Sequence, residues 1–303
     1  MWKLAAAAGC LGLIGLARSQ YERKALSVET VEISSDKIQR ERTLVFLSDL
    51  HDNEFGPDNV RLKEAIDHIH PDGVLSGGDI LVSKGRADLR PALSLFSYLT
   101  ARYPVYCGNG NHESRLAWKR GTYGDLYERY RRALMSMGAV CLEDSSAMLG
   151  PDIRITGLDL DARFYKKIFF GKRARMGEMY VERKVGRAAK GDIFQILLAH
   201  SPLYFSEYAR WGADLTLAGH YHGGTIRIPR LGGVMTPQYQ FFLPECAGTF
   251  RRGEKIMVVS RGLGTHSINI RINNKPQLVV LKLRPQKAAG AAGIGGADGS
   301  HNV

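Results

Sequence analysis

Thr43-Leu44-Val45-Phe46-Leu47-Ser48-Asp49-Leu50-His51 is an apolar β-type run that ends in a carboxylate and an imidazole two residues apart. Far down the chain, Leu215-Thr216-Leu217-Ala218-Gly219-His220-Tyr221-His222 has the same build, with two imidazoles after the run. Three more clusters lie between them: Gly77-Gly78-Asp79, Gly108-Asn109-Gly110-Asn111-His112-Glu113 and Ala199-His200, each after its own short apolar run. Singly, each piece has an ordinary reading. Gly-Gly-Asp is a common turn, Gly-Asn-Gly-Asn a common hairpin loop, and a lone histidine a surface or core residue. Together they offer three carboxylate or amide oxygens and four imidazoles, enough for two divalent cations. That donor set points to hydrolysis of a phosphate ester or anhydride.

Working outward, Leu62, Ala65, Ile66 and Ile69 share one face of a helix that Asp58 is expected to cap. Leu89, Leu93, Phe96 and Leu99 mark a second helix over about residues 87–100, and a third covers about 124–137. Further strands are expected at 153–155, 194–198, 215–217, 225–228, 255–259 and 277–281. Strands alternating with helices, then a strand-rich end, predict α/β layers. In such sheets ligands bind beyond the carboxyl ends of the strands, where all five clusters stand.

The five clusters, in this order, resemble the calcineurin-like metallophosphoesterase superfamily: Asp-x-His, Gly-Asp, Gly-Asn-His-Glu, a single His, then Gly-His-x-His. The resemblance covers about Thr43 to Leu283. It implies a layered β-sandwich flanked by helices, with a dinuclear metal centre at the carboxyl ends of the strands. It also implies that Asp49, His51, Asp79 and His222 hold the first metal. Asp79, Asn111, His200 and His220 would hold the second, with Asp79 bridging. Mixed oxygen and imidazole ligands suit Mn²⁺ foremost, or Fe or Zn²⁺, rather than Ca²⁺. His112 is implied as the catalytic residue that faces the substrate; the alternative is that it only orients its loop. Many relatives carry an acid three residues after the bridging Asp, where this chain has Val82, so Asp52 or a substrate group is expected to position His112. Tyr221 between the final ligands either contacts substrate or packs. Arg261 and Arg271 either reach a substrate phosphate or pair with structural carboxylates.

The C-terminal third, from His220-Tyr221-His222-Gly223-Gly224 to Ile270-Arg271-Ile272-Asn273-Asn274-Lys275-Pro276, narrows the resemblance. With the apolar N-terminus it looks like the membrane-associated bacterial branch that includes UDP-2,3-diacylglucosamine pyrophosphatases of lipid A synthesis. The 303-residue chain carries a net charge of +12, which favours anionic partners: a phosphorylated, lipid-linked substrate or an anionic membrane surface. No nucleic-acid-binding signature is present, and nucleic acid is not expected as a partner. Residues 1–25 read as a membrane anchor or signal segment, although the apolar stretch Leu4 to Ala17 is short beside the roughly 20 residues of a bilayer span. A first core helix is the alternative. Residues 40–284 form the metallophosphoesterase domain, and 285–303 a disordered Gly/Ala tail. The stretch 163–175 interleaves basic and aromatic residues, as an interfacial element or a lid would; a solvated basic loop is the plain alternative. Four cysteines at 10, 107, 141 and 246 fit no zinc ribbon, and Cys107 is expected in the core. Two other functions stay open on sequence: a catalytically silent metal-binding scaffold, and a soluble protein phosphatase or nuclease of the same fold.

Overall fold

The computed structural model describes residues 1–166, 174–265 and 268–286. Its strands are β1 (Ser27–Ser35), β2 (Arg42–Leu47), β3 (Gly73–Ser76), β4 (Val105–Gly108), β5 (Val140–Leu142), β6 (Ser145–Leu149), β7 (Ile153–Leu158), β8 (Phe194–Ala199), β9 (Leu215–Ala218), β10 (Arg227–Ile228), β11 (Gly232–Gly233), β12 (Gly248–Arg252), β13 (Lys255–Val259) and β14 (Gln277–Pro285). Its helices are α1 (Trp2–Lys24), α2 (Val60–Ile69), α3 (Arg90–Thr100), α4 (Asn111–Trp118), α5 (Arg120–Tyr123), α6 (Leu126–Ser136), α7 (Tyr180–Val185) and α8 (Phe205–Trp211). Two six-stranded sheets form, in the orders β1-β14-β2-β3-β4-β5 and β12-β13-β9-β8-β7-β6.

The side chains of β2 explain the layering. Leu44 and Phe46 enter the core between the sheets, beside Leu75, Ile196, Leu198, Leu215 and Leu217. Val45 and Leu47, one residue out of phase, join Leu62, Ile66, Leu95, Phe96 and Leu99 of α2 and α3. Both faces are buried, so the run is apolar throughout rather than alternating. Burying each such side chain contributes roughly 1.5–3 kcal/mol. On the far side, Val181 of α7 and Tyr208 of α8 pack with Leu197 and Ala199 of β8. The molecule is thus the expected α/β sandwich, two sheets between helical layers. A buried ion pair crosses it: the Arg42 guanidinium donates two hydrogen bonds to Asp152, joining β2 of one sheet to the residue before β7 of the other.

Several local expectations change. Asn59, not Asp58, stands at the N-cap of α2; Asp58 pairs with Lys63 and accepts from Ser94. The strand expected at 225–228 shrinks to Arg227–Ile228, paired with β11. The sheet starts well before residue 40, because β1 runs parallel to β14 over nine residues. As an edge strand with mostly exposed side chains, β1 has no continuous apolar run to announce it. Cys107 is buried, as expected. Leu13, Ile14 and Leu16 of α1 are exposed while Ser19 and Glu22 are buried. Among the described residues no helix is long and apolar enough to cross a membrane. Residues 167–173 of the basic-aromatic stretch, and the tail from 287, lie outside the described residues.

Candidate metal centre

Parallel strands bring the clusters together. β2, β3 and β4 are mutually parallel in one sheet, β8 and β9 in the other, and the five clusters leave their carboxyl ends. At those ends the chain reverses abruptly. Asp49, His51, Asp79, His220 and His222 all take positive φ, 54°, 48°, 54°, 67° and 49°. Non-glycine residues there cost on the order of 1–3 kcal/mol each and persist only where surrounding structure enforces them. Here the backbone is pinned: Asp49 N–H donates to Gly78 O (2.9 Å), His51 N–H to Asp79 O (3.1 Å) and Gly264 N–H to Asp49 O (2.6 Å). Glycine is required close by, since a Cβ on Gly219 would overlap Asp49 Oδ2.

The side chains converge in groups whose ligand atoms lie within 4.8 Å of one another: Asp49, His51 and His222; Asp79, His200 and His220; and His51, Asp79 and His112. His222 Nε2 is 3.3 Å from Asp49 Oδ1, and His200 Nε2 is 3.2 Å from Asp79 Oδ2. Asp79 Oδ2 also stands 3.6 Å from His51 Nε2, so this one oxygen lies between the first two groups. His51 Nε2 and His222 Nε2 face each other at 3.1 Å. Asn111 Oδ1 is buried and accepts no hydrogen bond among the described residues. Burying such an acceptor is costly without a compensating donor or cation. Carboxylate oxygen and imidazole nitrogen converging in this way fit divalent transition metals.

The charges are tightly coupled. Burial raises the Asp49 carboxyl to about 6. Burial also works against charged Asp79, yet the cationic forms of His200, His112 and His51 hold it well below the usual carboxylate range. Burial disfavours charged His200 too, but the Asp79 and Asp49 carboxylates raise it to about 10. Burial lowers His112 to about 4, so its imidazole is neutral at pH 7.

His112 is positioned by Ser83. The Ser83 backbone N–H donates to His112 Nδ1 at 2.8 Å, and the Ser83 hydroxyl donates to the His112 carbonyl at 2.9 Å. Arg115 in turn donates to the Ser83 carbonyl at 3.1 Å. Because Nδ1 accepts, the single proton of neutral His112 sits on Nε2. Asp52, the expected partner, instead accepts from the Val82 backbone at 3.2 Å. Glu113 went unrecognised as a site residue. Its buried carboxylate accepts backbone N–H groups of Asp79 (2.7 Å), Ile80 (2.8 Å) and Gly110 (3.0 Å), fixing the turn that carries Asp79. Its place three residues after Gly110 is the capping-box spacing, the signal that pointed to it.

The other sequence candidates stand elsewhere. Tyr221 is fully buried, with its ring 5.7 Å from that of His220, which is the packing role. Arg261 pairs with Glu29 of β1, the structural alternative. Arg271 is buried and donates to the carbonyls of Arg261, Gly262, Gly264 and Asn274. Asn274, also missed, donates through Nδ2 to the His222 carbonyl at 2.7 Å.

The sequence pattern of the calcineurin-like phosphoesterase family matches residues 42–224. The chain is similar to the uncharacterised metallophosphoesterase YkuE of Bacillus subtilis, 27% identical over 72% of this chain and 70% of that protein. It is also similar to phosphodiesterase YaeI of Escherichia coli, 24% identical over 79% of this chain and 81% of that one. Among solved structures, purple acid phosphatase PPD1 of yellow lupin aligns with 17% identity and a TM-score of 0.42, over 82% of this chain and 50% of that one.

Proposed function

The chain belongs to the calcineurin-like phosphoesterase family, and on that premise we propose that it hydrolyses a phosphodiester or pyrophosphate bond of an amphiphilic substrate at a membrane surface, using two divalent cations. Asp49, His51, Asp79 and His222 would hold the first cation and Asp79, Asn111, His200 and His220 the second, and Mn²⁺ is our assignment for both. The observation that carries this reading is Asp79 Oδ2, a buried oxygen placed between His51 Nε2 at 3.6 Å and His200 Nε2 at 3.2 Å. When bound, such a cation pair supplies a polarised phosphoryl oxygen and a water acidified to a pKa of about 7.

The protein's own residues supply the rest. Neutral His112 offers its Nε2 proton as a hydrogen bond to the phosphoryl or leaving-group oxygen. Donors fixed in advance of the reaction stabilise developing charge without reorganising. Ser83 keeps the ring in that tautomer, and Glu113 keeps Asp79 in place.

The amphiphilic substrate is favoured by the apolar side chains of Met235, Tyr239, Ile268 and Ile270, which line a small pocket beside His222. Phe241, bridged to Met235, and Phe242 are exposed, as are Leu13, Ile14 and Leu16 of α1. Apolar side chains of this kind gain by insertion at a lipid interface, which supports membrane association. The Escherichia coli relative named a phosphodiesterase supports a diester among possible bonds. The test is hydrolysis by Mn²⁺-loaded protein of a phosphomonoester, a phosphodiester and UDP-diacylglucosamine, with Asp79→Asn beside wild type. We expect the amphiphile to be preferred and the variant to be inactive. Full activity in the variant would remove the bridging role, and equal rates on soluble and lipid-linked diesters would remove the amphiphile.

A further inference from the structure

A run of aromatic rings leads outward from the metal centre. The Tyr165 ring meets His220 edge-on, with centroids 5.1 Å apart and planes at 65°, and lies 6.1 Å from His200. On its other side Tyr165 meets Trp118, with centroids 6.3 Å apart and planes at 40°. The two rings arrive from separate elements. Trp118 is the last residue of α4, the helix that begins with Asn111 and His112; Tyr165 closes a short 3₁₀ turn, Ala162–Tyr165. Tyr165 is half-buried, whereas Trp118 is 42% exposed. Each ring is followed by an exposed lysine, Lys119 after Trp118 and Lys166 after Tyr165.

We propose that Trp118 and Tyr165 form a shelf on which the substrate stacks a planar ring, a nucleobase or an aryl group, joined through its ester to the phosphoryl group at His200 and His220. This rests on the phosphoester-hydrolase reading above and adds the class of group that the phosphate carries. Two features favour an anionic ester that carries a ring here. The exposed surface is an indole, which offers a flat π face, and aromatic pairs are favoured in offset and edge-to-face arrangements such as those already present. The two lysines flank the shelf with positive charge, where a ring-bearing phosphate ester is anionic. Alanine in place of a stacking aromatic weakens base binding by about 1–3 kcal/mol, or about 5- to 150-fold.

Binding to Mn²⁺-loaded protein tests this. The probes are UMP, phenyl phosphate and glycerol 1-phosphate, the last without a ring, followed by calorimetry and by tryptophan fluorescence. In wild type we expect UMP, phenyl phosphate or both to bind more tightly than glycerol 1-phosphate and to quench the indole emission. In Trp118→Ala the ratio of ring to ring-free affinity should fall about tenfold or more, and Trp118→Phe should restore most of it. Whichever ring shows the loss identifies the group. Metal stoichiometry, measured on each variant, shows that the centre is intact. An unchanged affinity ratio in Trp118→Ala, with the phosphate still bound, overturns the shelf and leaves the hydrolase reading standing. No binding of any of the three to loaded wild-type protein, together with metal-independent behaviour, overturns both.

Discussion

Glu22, near the end of α1, accepts the backbone N–H of Asn274 at 2.8 Å, and both residues are buried. One turn earlier in the helix, Ser19 accepts the backbone N–H of Arg271 at 3.1 Å. Asn274 then holds the His222 carbonyl, and Arg271 holds the Gly264 carbonyl, which lies 3.2 Å from His222 Nδ1. The N-terminal helix is therefore joined through two residues to a candidate ligand of the first metal. Glu22→Ala leaves the Asn274 N–H buried without an acceptor, at a cost of about 1–3 kcal/mol. We expect a lower unfolding midpoint and weaker binding of one of the two cations, read by denaturant titration and metal calorimetry. Loss of stability with both affinities unchanged would break the link to His222.

Glu113 is expected to act on the metal centre without touching it. Glu113→Gln replaces one of the two carboxyl oxygens that accept the N–H groups of Asp79, Ile80 and Gly110 with an NH2 group that cannot accept them. Removing such a supporting partner lowers metal affinity or activity about 10- to 100-fold. Metal content after dialysis is the check, and full retention of both cations would count against the role.

His112 and Ser83 separate a proton-carrying role from a positioning one. Removing a hydrogen-bonding imidazole at the reacting group costs roughly 10²–10⁴-fold in rate, the loss expected for His112→Ala. Ser83→Ala keeps the backbone N–H that holds Nδ1, so its loss should be far smaller. Since His112 stays neutral above about pH 4, the rate profile should show no His112 ionisation between pH 5 and 8. An inflection near 6.5 that vanishes in His112→Ala would contradict this.

Metal loading should release protons. Without metal His200 is charged at pH 7, because neighbouring carboxylates raise it to about 10 against burial, whereas a ligand imidazole must be neutral. Affinity should therefore climb about tenfold per pH unit up to about 10. Below about 6 it should change more steeply, where Asp49 is protonated as well. For the metal-free fold the sign is opposite. His200 has a folded pKa above its ordinary 6.5, so its stabilisation is complete below 6.5 and lost as pH rises through about 10. Calorimetry in buffers of different ionisation enthalpy counts the protons, and no buffer dependence at pH 7.5 would refute the release.

The Arg42–Asp152 pair should be worth more broken than replaced. Asp152→Ala strands a buried guanidinium, at about 3–5 kcal/mol, whereas an apolar pair in both positions is expected to be near neutral. Unfolding midpoints of the single and double variants decide it.

The sequence by itself determined which residues meet. Each candidate ligand follows an apolar run long enough to be a strand, and parallel strands place their carboxyl ends on one edge, so Asp49, His51, Asp79, His200, His220 and His222 converge by local pattern and chirality alone. Tertiary structure decided what surrounds them. Ser83 rather than Asp52 holds His112, because a turn brings its backbone N–H to Nδ1. Arg261 and Arg271 became struts because β1, α1 and the loop before β14 meet there, over separations of as many as 252 residues. β1 stayed hidden since an edge strand needs no apolar face. Periodicity and spacing report what a segment does with its own neighbours. Partners drawn from distant segments are chosen by which polar groups packing leaves buried, and only the folded chain fixes that.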